Sequence, residues 1–438
     1  TPTPAAVSLP PSSDPVSPTS RGGSAPGQIY LGRTRSLSPT DVTRSPATLM
    51  RHAAFLGSTG SGKTTLALNV IEQCLLEGTP VLLVDRKGDL CRYASESFWS
   101  EVETDPARAE RKRRLRERLH VQVFTPGEHR GRPLALPIVP AGLADLDVAE
   151  RMAMTSSAAA GLGSMMKYKG SHQDSTRQAI LAKAIEVLAQ LGGKKELGIK
   201  DLVDLIADED PALVDAIGKL DTKHFKALVE HLETLRLRFE TLLKGGETLN
   251  AELLFGMGPF AVPGKTALSI VSTKFLPDAG VIDFWVSRLL IELTRWSSRH
   301  PSAKLQAIVM LDEADIYLPA QTKPATKQPM QDLLKRARSA GVGIFLATQS
   351  PGDLDYKCRD NITSWFVGKI SEKTALDKMK PLLSEYRSNP ASKLAGAHPG
   401  EFFVLAEGNV AELKAERSLM NTAQLGEDEI LHAARAPS

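Results

Sequence analysis

Residues 52–65 read HAAFLGSTGSGKTT. Within and after this stretch, AAFLG (53–57) is a short apolar run closed by glycine. TLALNVIEQCLLEG (65–78) then carries apolar residues at helical spacing and stops at Gly78. VLLVD (81–85) follows, a continuous apolar run ending in Asp. Strand, loop, helix and strand in about 35 residues make a βαβ unit. Uninterrupted apolar strands imply a sheet covered on both faces. The predicted fold class is therefore α/β, with a mostly parallel central sheet.

The loop inside this unit, G-S-T-G-S-G-K-T at 57–64, fits G-x-x-x-x-G-K-[ST] with a strand before it and a helix after it. Gly57, Gly60 and Gly62 let the backbone take dihedrals closed to other residues and approach a phosphate closely. Ser58, Thr59 and Ser61 complete the loop, and the N–H groups of about 60–65 form an anion nest at the helix start, ending at Thr65. Lys63 supplies a point charge for β- and γ-phosphates, and the Thr64 hydroxyl a ligand for Mg²⁺. The pattern points to a magnesium nucleotide, with ATP the expected one, and to its hydrolysis. A second GKT, Gly264-Lys265-Thr266, has Pro259 where a first glycine is needed and a strand-like run after it, so it reads as the start of a strand.

Such a loop needs an acidic partner at another strand end, and AIVMLDEAD (307–315) offers one. Asp312 would hold the metal through its water shell, and Glu313 would polarise the attacking water as general base. The alternative is that the two carboxylates cap a following helix. Asp315 reads as a supporting or helix-start residue. In GVGIFLATQSPGDLD (341–355), Gln349 ends the next apolar strand. It is either a sensor of the γ-phosphate or an ordinary polar strand end. KRARSAG (335–341) offers Arg336 and Arg338, each either a finger into a neighbouring subunit's site or part of a basic surface helix. In VDRKGDL (84–90), Asp85 and Asp89 sit at a carboxyl strand end and either support the site or cap a turn.

Residues 1–28 are rich in Pro, Ser, Thr and Gly and are expected to be disordered. Residues 29–140 read as the first part of the core, 141–250 as an all-α insertion with a mobile Gly/Lys loop at GLGSMMKYKG (161–170), 251–410 as the second part, and 411–438 as a tail. Further strands are expected at QIYLG (28–32), VQVF (121–124), TALSIVST (266–273), SWFVGKI (364–370) and GEFFVLA (400–406), and a helix at 284–299. ERKRRLRER (110–118) is a charge-dense helix, read as a solvated face in preference to a nucleic-acid patch because glutamates interleave its arginines. Net charge is only +3, so any basic surface is local. The three cysteines, Cys74, Cys91 and Cys358, have neither disulfide-framework nor metal spacing and suit a reducing cytoplasm. No apolar run approaches the ~18 residues of a membrane span, and no signal peptide is visible. The chain begins at Thr1, consistent with a piece of a longer protein.

Taken in order, HAAFLGSTGSGKTT, VLLVDRKGDL (81–90), ALSIVSTKFLP (267–277), IVMLDEADIYLP (308–319) and RARSAGVGIFLATQSPGDLD (336–355) resemble the HerA–FtsK family of hexameric DNA-pumping ATPases, closest to its HerA-like branch. Asn361 before SWFVGKI, and PGEFFVL (399–405), also fit. The loop alone is shared by many families; its combination with LDEAD and ATQSPxDLD is far more specific. The resemblance implies a RecA-like core interrupted by the helical insertion, a ring of six subunits with ATP sites between them, and duplex DNA in the pore. By motif position it makes Lys63 and Thr64 the nucleotide and metal residues, Asp312 and Glu313 the acidic pair, Gln349 the sensor and Arg338 the trans finger. A nuclease or other effector is the protein partner it would add.

Two departures stand out. HerA-like proteins carry a β-barrel before the loop, and only about fifty residues precede it here. No helix-turn-helix is visible after 410. The competing functions are a conjugation or secretion ATPase and a nucleotide-gated regulatory ring.

Overall fold

The computed structural model describes residues 27–139, 143–191, 197–243, 245–386 and 390–435. The Pro/Ser-rich segment expected to be disordered lies almost wholly outside them. Among the described residues thirteen strands run in chain order: β1 Ile29–Thr34, β2 Asp41–Arg44, β3 Ala53–Leu56, β4 Val81–Asp85, β5 Leu119–Phe124, β6 Leu134–Ala135, β7 Glu247–Thr248, β8 Thr266–Ser272, β9 Ala307–Leu311, β10 Val342–Thr348, β11 Ser364–Val367, β12 Glu401–Ala406 and β13 Asn409–Ala415. β6 and β7 pair with each other. The other eleven form one sheet in the order β2-β1-β13-β12-β11-β3-β10-β9-β4-β8-β5. From β11 to β5 every pairing is parallel. From β11 outward through β12, β13, β1 and β2 it is antiparallel.

Alternation along the strands divides the core between two faces. Ala54, Leu56, Leu82, Val84, Val309, Leu311, Ile344 and Leu346 share one buried cluster with the long helix Ala279–Arg299 and with the helices Val148–Met165, His172–Leu191, Ile199–Ala207 and Lys223–Arg238. Ala53, Phe55, Val81, Leu83, Ile308, Met310, Phe345 and Ala347 share the other with the helix Lys63–Leu76, with Leu115 and with the C-terminal residues Leu419 to Ala434. The sheet is thus covered on both sides, as its unbroken apolar strands require.

Two segments differ from their sequence reading. GLGSMMKYKG is half helix: Val148–Met165 runs into it and ends at Met165, with Gly161 packed so closely on Phe284 that a Cβ would meet that ring at 2.6 Å. The stretch after 410, expected as a tail, carries most of β13 and a helix, Glu427–Arg435. On the helix Pro106–Arg118, Arg113 pairs with Glu110 and Glu117, and Arg116 with Glu96. Arg108 and Arg111 donate to the carbonyls of Arg417 and Ser418. Four of its arginines, Arg108, Arg111, Arg113 and Arg116, are thus engaged within the chain. The second GKT is where a strand begins, with Lys265 donating to the Glu117 carbonyl at 2.8 Å. All three cysteines are free and buried.

Candidate active site

β3 is central and fully buried, so the loop that follows it leaves the sheet at a fixed point. Gly60 and Gly62 take φ of 76° and 90°, which only glycine adopts at little cost. The helix then starts at Lys63. Two outside segments brace the loop: Ser58 N–H donates to the Lys369 carbonyl, and Gly400 N–H to the Ser61 carbonyl, both at 2.9 Å. Thr64 and Thr65 are half-buried on the first turn. The Lys63 side chain is buried, and burial lowers its pKa, opposed first by the charge of Asp312.

β10 lies between β3 and β9, so the ends of all three strands meet at one edge of the sheet. Asp312, directly after β9, is 2% exposed. Burial, and then the charge of Asp89, pushes its carboxyl up to about 6, while Lys63 pulls it down. Asp89 is pushed to about 6 by burial and then by Asp85. Asp312 Oδ1, Asp89 Oδ1 and Ser61 Oγ are buried without a hydrogen-bond partner among the described residues. Unused lone pairs beside a buried lysine and a ring of backbone amides form a site suited to a hydrated divalent cation and a polyphosphate together.

Asp85 serves its own loop. Its carboxylate accepts from the N–H groups of Lys87, Gly88, Leu90 and Cys91 at 2.8–3.2 Å, so it ties residues 86–91 into a compact turn. Burial raises its pKa against those donors. Glu313 has φ 54° and ψ 45°, the left-handed region that a non-glycine residue occupies only under constraint. Its Oε1 lies 2.8 Å from Lys87 Nζ and its Oε2 3.5 Å from Arg86 Nε. Gln349 Oε1 accepts from the Thr59 hydroxyl at 2.6 Å, linking the β10 end to the glycine-rich loop. Asp315 accepts from the Thr348 hydroxyl, and burial raises its pKa.

Lys63, Asp312 and Glu313 therefore lie within reach of one another's charges, and Gln349 is tied to the glycine-rich loop through Thr59. Arg336 and Arg338 do not join them. They precede β10, at the amino end of a seven-residue strand whose other end faces the loop, a separation of about 20 Å. Arg336 is paired with Glu150 at 3.5 Å. Arg338 lies near the buried His52. Sequence reasoning missed Arg86 and Lys87 as neighbours of Glu313. The only signal was a pair of cations after an apolar strand end, and adjacency of β4 to β9 is not written in any local pattern.

A glycine-rich loop of amides at a helix start, a buried lysine and buried carboxylates from neighbouring parallel strands define a P-loop ATPase. A sequence profile of the helicase HerA central domain matches residues 29–255, and the chain belongs to that family. Its fold is similar to that of VirB4 of Thermoanaerobacter pseudethanolicus, at 15% identity and TM-score 0.58, covering 93% of this chain and 100% of that one. It is also similar to the bacterial conjugative coupling protein TrwBΔN70 in an unbound form, at 13% identity and TM-score 0.53, covering 92% and 98%. The plasmid coupling protein TrwB in complex with ADP and Mg²⁺ matches at 13% identity and TM-score 0.52, covering 92% and 97%. No curated protein sequence matches the chain. The chain is an ATP-driven motor ATPase of the HerA–FtsK superfamily, using ATP and Mg²⁺. No helix among the described residues is long and apolar enough to cross a membrane.

Proposed function

We propose that this ATPase works as a hexameric ring that pulls duplex DNA through its pore, in the cytoplasm, with sites completed between subunits. The observation that carries the catalytic part is the Asp312 carboxylate, buried with an unused oxygen in the same cluster as Lys63. The amides of Gly60 to Thr65 and the Lys63 ammonium hold the phosphates. Thr64 and Asp312 would hold the metal, which would supply charge neutralisation to the phosphates. Ser58, Thr59 and Ser61 shape the loop around them. Glu313 takes the proton of the water that attacks the γ-phosphorus, as the bond to ADP breaks. Gln349 orients that water or reports the γ-phosphate. Arg338, with no ion-pair partner among the described residues, is the better finger for a neighbour's site than the paired Arg336. A nuclease or other effector protein is the further partner on this reading.

The test is ATP turnover with and without duplex DNA, alongside the particle mass in solution. Strong stimulation by DNA, weakening as salt rises, with a mass near six chains is expected. A second reading, an ATPase that energises a conjugation machine, is favoured by the likeness in fold, over nearly the whole chain, to a conjugative coupling protein. It predicts stimulation by a protein partner and none by DNA.

A further inference from the structure

We propose that Lys87, with Arg86 beside it, is a positioning residue for Glu313: the two cations fix the carboxylate so that its free lone pairs point where the attacking water sits. The inference rests on Glu313 being the general base.

Lys87 Nζ takes Oε1 of Glu313 at 2.8 Å, and Arg86 Nε lies 3.5 Å from Oε2. A carboxylate oxygen accepts at two sites. With Oε1 drawn to Lys87 and Oε2 facing Arg86, the plane of the group is restrained and the sites turned away from the cations stay open. Lys87 also feels the charges of Asp312 and Asp89, so it offsets part of the repulsion among the clustered carboxylates.

The loop that carries the two cations is itself held from both sides. Asp85 binds its amides from within. From outside, the Gln424 amide donates to the Lys87 carbonyl at 3.1 Å and Leu425 N–H to the Gly88 carbonyl at 3.4 Å. Gly88, at φ 86°, faces Ile430 so closely that a Cβ would meet Cδ1 at 2.7 Å. The Lys87 side chain therefore starts from a fixed backbone. The side chains of Lys87 and Glu313 are 37% and 20% exposed, and a pair so open to water contributes little stability. Yet Glu313 keeps a strained backbone at this point. Strain held where the pairing gains so little in stability favours a role in geometry.

The experiment uses the full chain with Lys87→Met, Lys87→Arg, Glu313→Gln and the double variant Lys87→Met/Glu313→Gln. Lys87→Met is expected to lower kcat about 10- to 100-fold, with KM for ATP and binding of a non-hydrolysable ATP analogue within about twofold of wild type. Lys87→Arg should recover most of the rate. The double variant should be no slower than Glu313→Gln alone, because the lysine acts through that carboxylate. Wild-type kcat in Lys87→Met, or loss of analogue binding, overturns the proposal. So does a double variant that is slower again by the Lys87→Met factor. If Glu313→Gln itself turns over at the wild-type rate, the base assignment fails and the positioning role with it. An inactive Glu313→Gln beside a fully active Lys87→Met removes the positioning role alone.

Discussion

Acidification should unfasten the start of the P-loop strand, through His52. This residue is 1% exposed, with φ 60°. Its ring joins three elements. Nε2–H donates to the Leu334 carbonyl at 2.9 Å, on the helix Lys327–Arg336, and Nδ1 accepts from Ile344 N–H of β10 at 3.1 Å. A carbonyl can only accept and an amide only donate, so the neutral tautomer is dictated. Protonation would lose the acceptor and bury a charge near Arg338. Burial accordingly lowers the pKa from 6.5 to about 4, with Leu334 opposing and Arg338 adding to the shift. A histidine whose folded value is depressed contributes stability fully present above its unfolded pKa and lost as pH falls toward the folded one. The whole window, from 6.5 to about 4, is worth about 3 kcal/mol, of which about 2 kcal/mol is gone by about pH 5. Buried carboxylates titrate in the same range, so the comparison must be differential. His52→Gln keeps one donor and one acceptor but has no proton to gain. Urea unfolding near pH 7.5 and near pH 5 should show the wild-type advantage over His52→Gln shrinking by about 2 kcal/mol. A difference that stays constant across that range would refute the argument.

Asp312 should show the opposite sign. Its folded pKa, about 6, lies above the ordinary 3.8, so the charged form costs stability above pH 6 and nothing below the unfolded value. Asp312→Asn should therefore raise nucleotide-free stability near pH 8 by up to about 3 kcal/mol, with the gain fading toward pH 4 and ATP turnover lost. Thermal melts at the two pH values check it, and a variant less stable at pH 8 would count against it. Glu72 is fully buried on the P-loop helix and accepts from Tyr93 OH and from the N–H groups of Leu419 and Met420. Glu72→Gln should cost about 1–3 kcal/mol and speed amide exchange at 419–420, because one good acceptor oxygen replaces two. Unchanged protection there would mean the segment is held by its apolar contacts alone.

Much of the fold was legible because its signals are local. β3, β4, β9 and β10 are apolar runs that no loop or exposed helix tolerates, and each ends at the polar residue the site uses or its immediate neighbour. β2 and β13 were not legible. Both are half-exposed, at or near the antiparallel side of the sheet, and DVTR or NVAELKA carries no run of apolar residues. Arg336 and Arg338 illustrate a further limit: their place in the sequence, just before β10, says which end of the sheet they occupy only once the strand directions are known.

The sequence by itself determined the glycine-rich loop, the lysine at its end, the parallel strands around it and the acidic pair after an apolar run. These depend on backbone dihedrals, hydrophobic period and strand polarity, all of which act over a few residues. Only the tertiary structure decided that Lys87 and Arg86 meet Glu313, that Asp85 turns inward to its own loop, and that the C-terminal residues grip that loop. Those contacts depend on which strands become neighbours, and that choice is made by the packing of the whole sheet between its two helical layers.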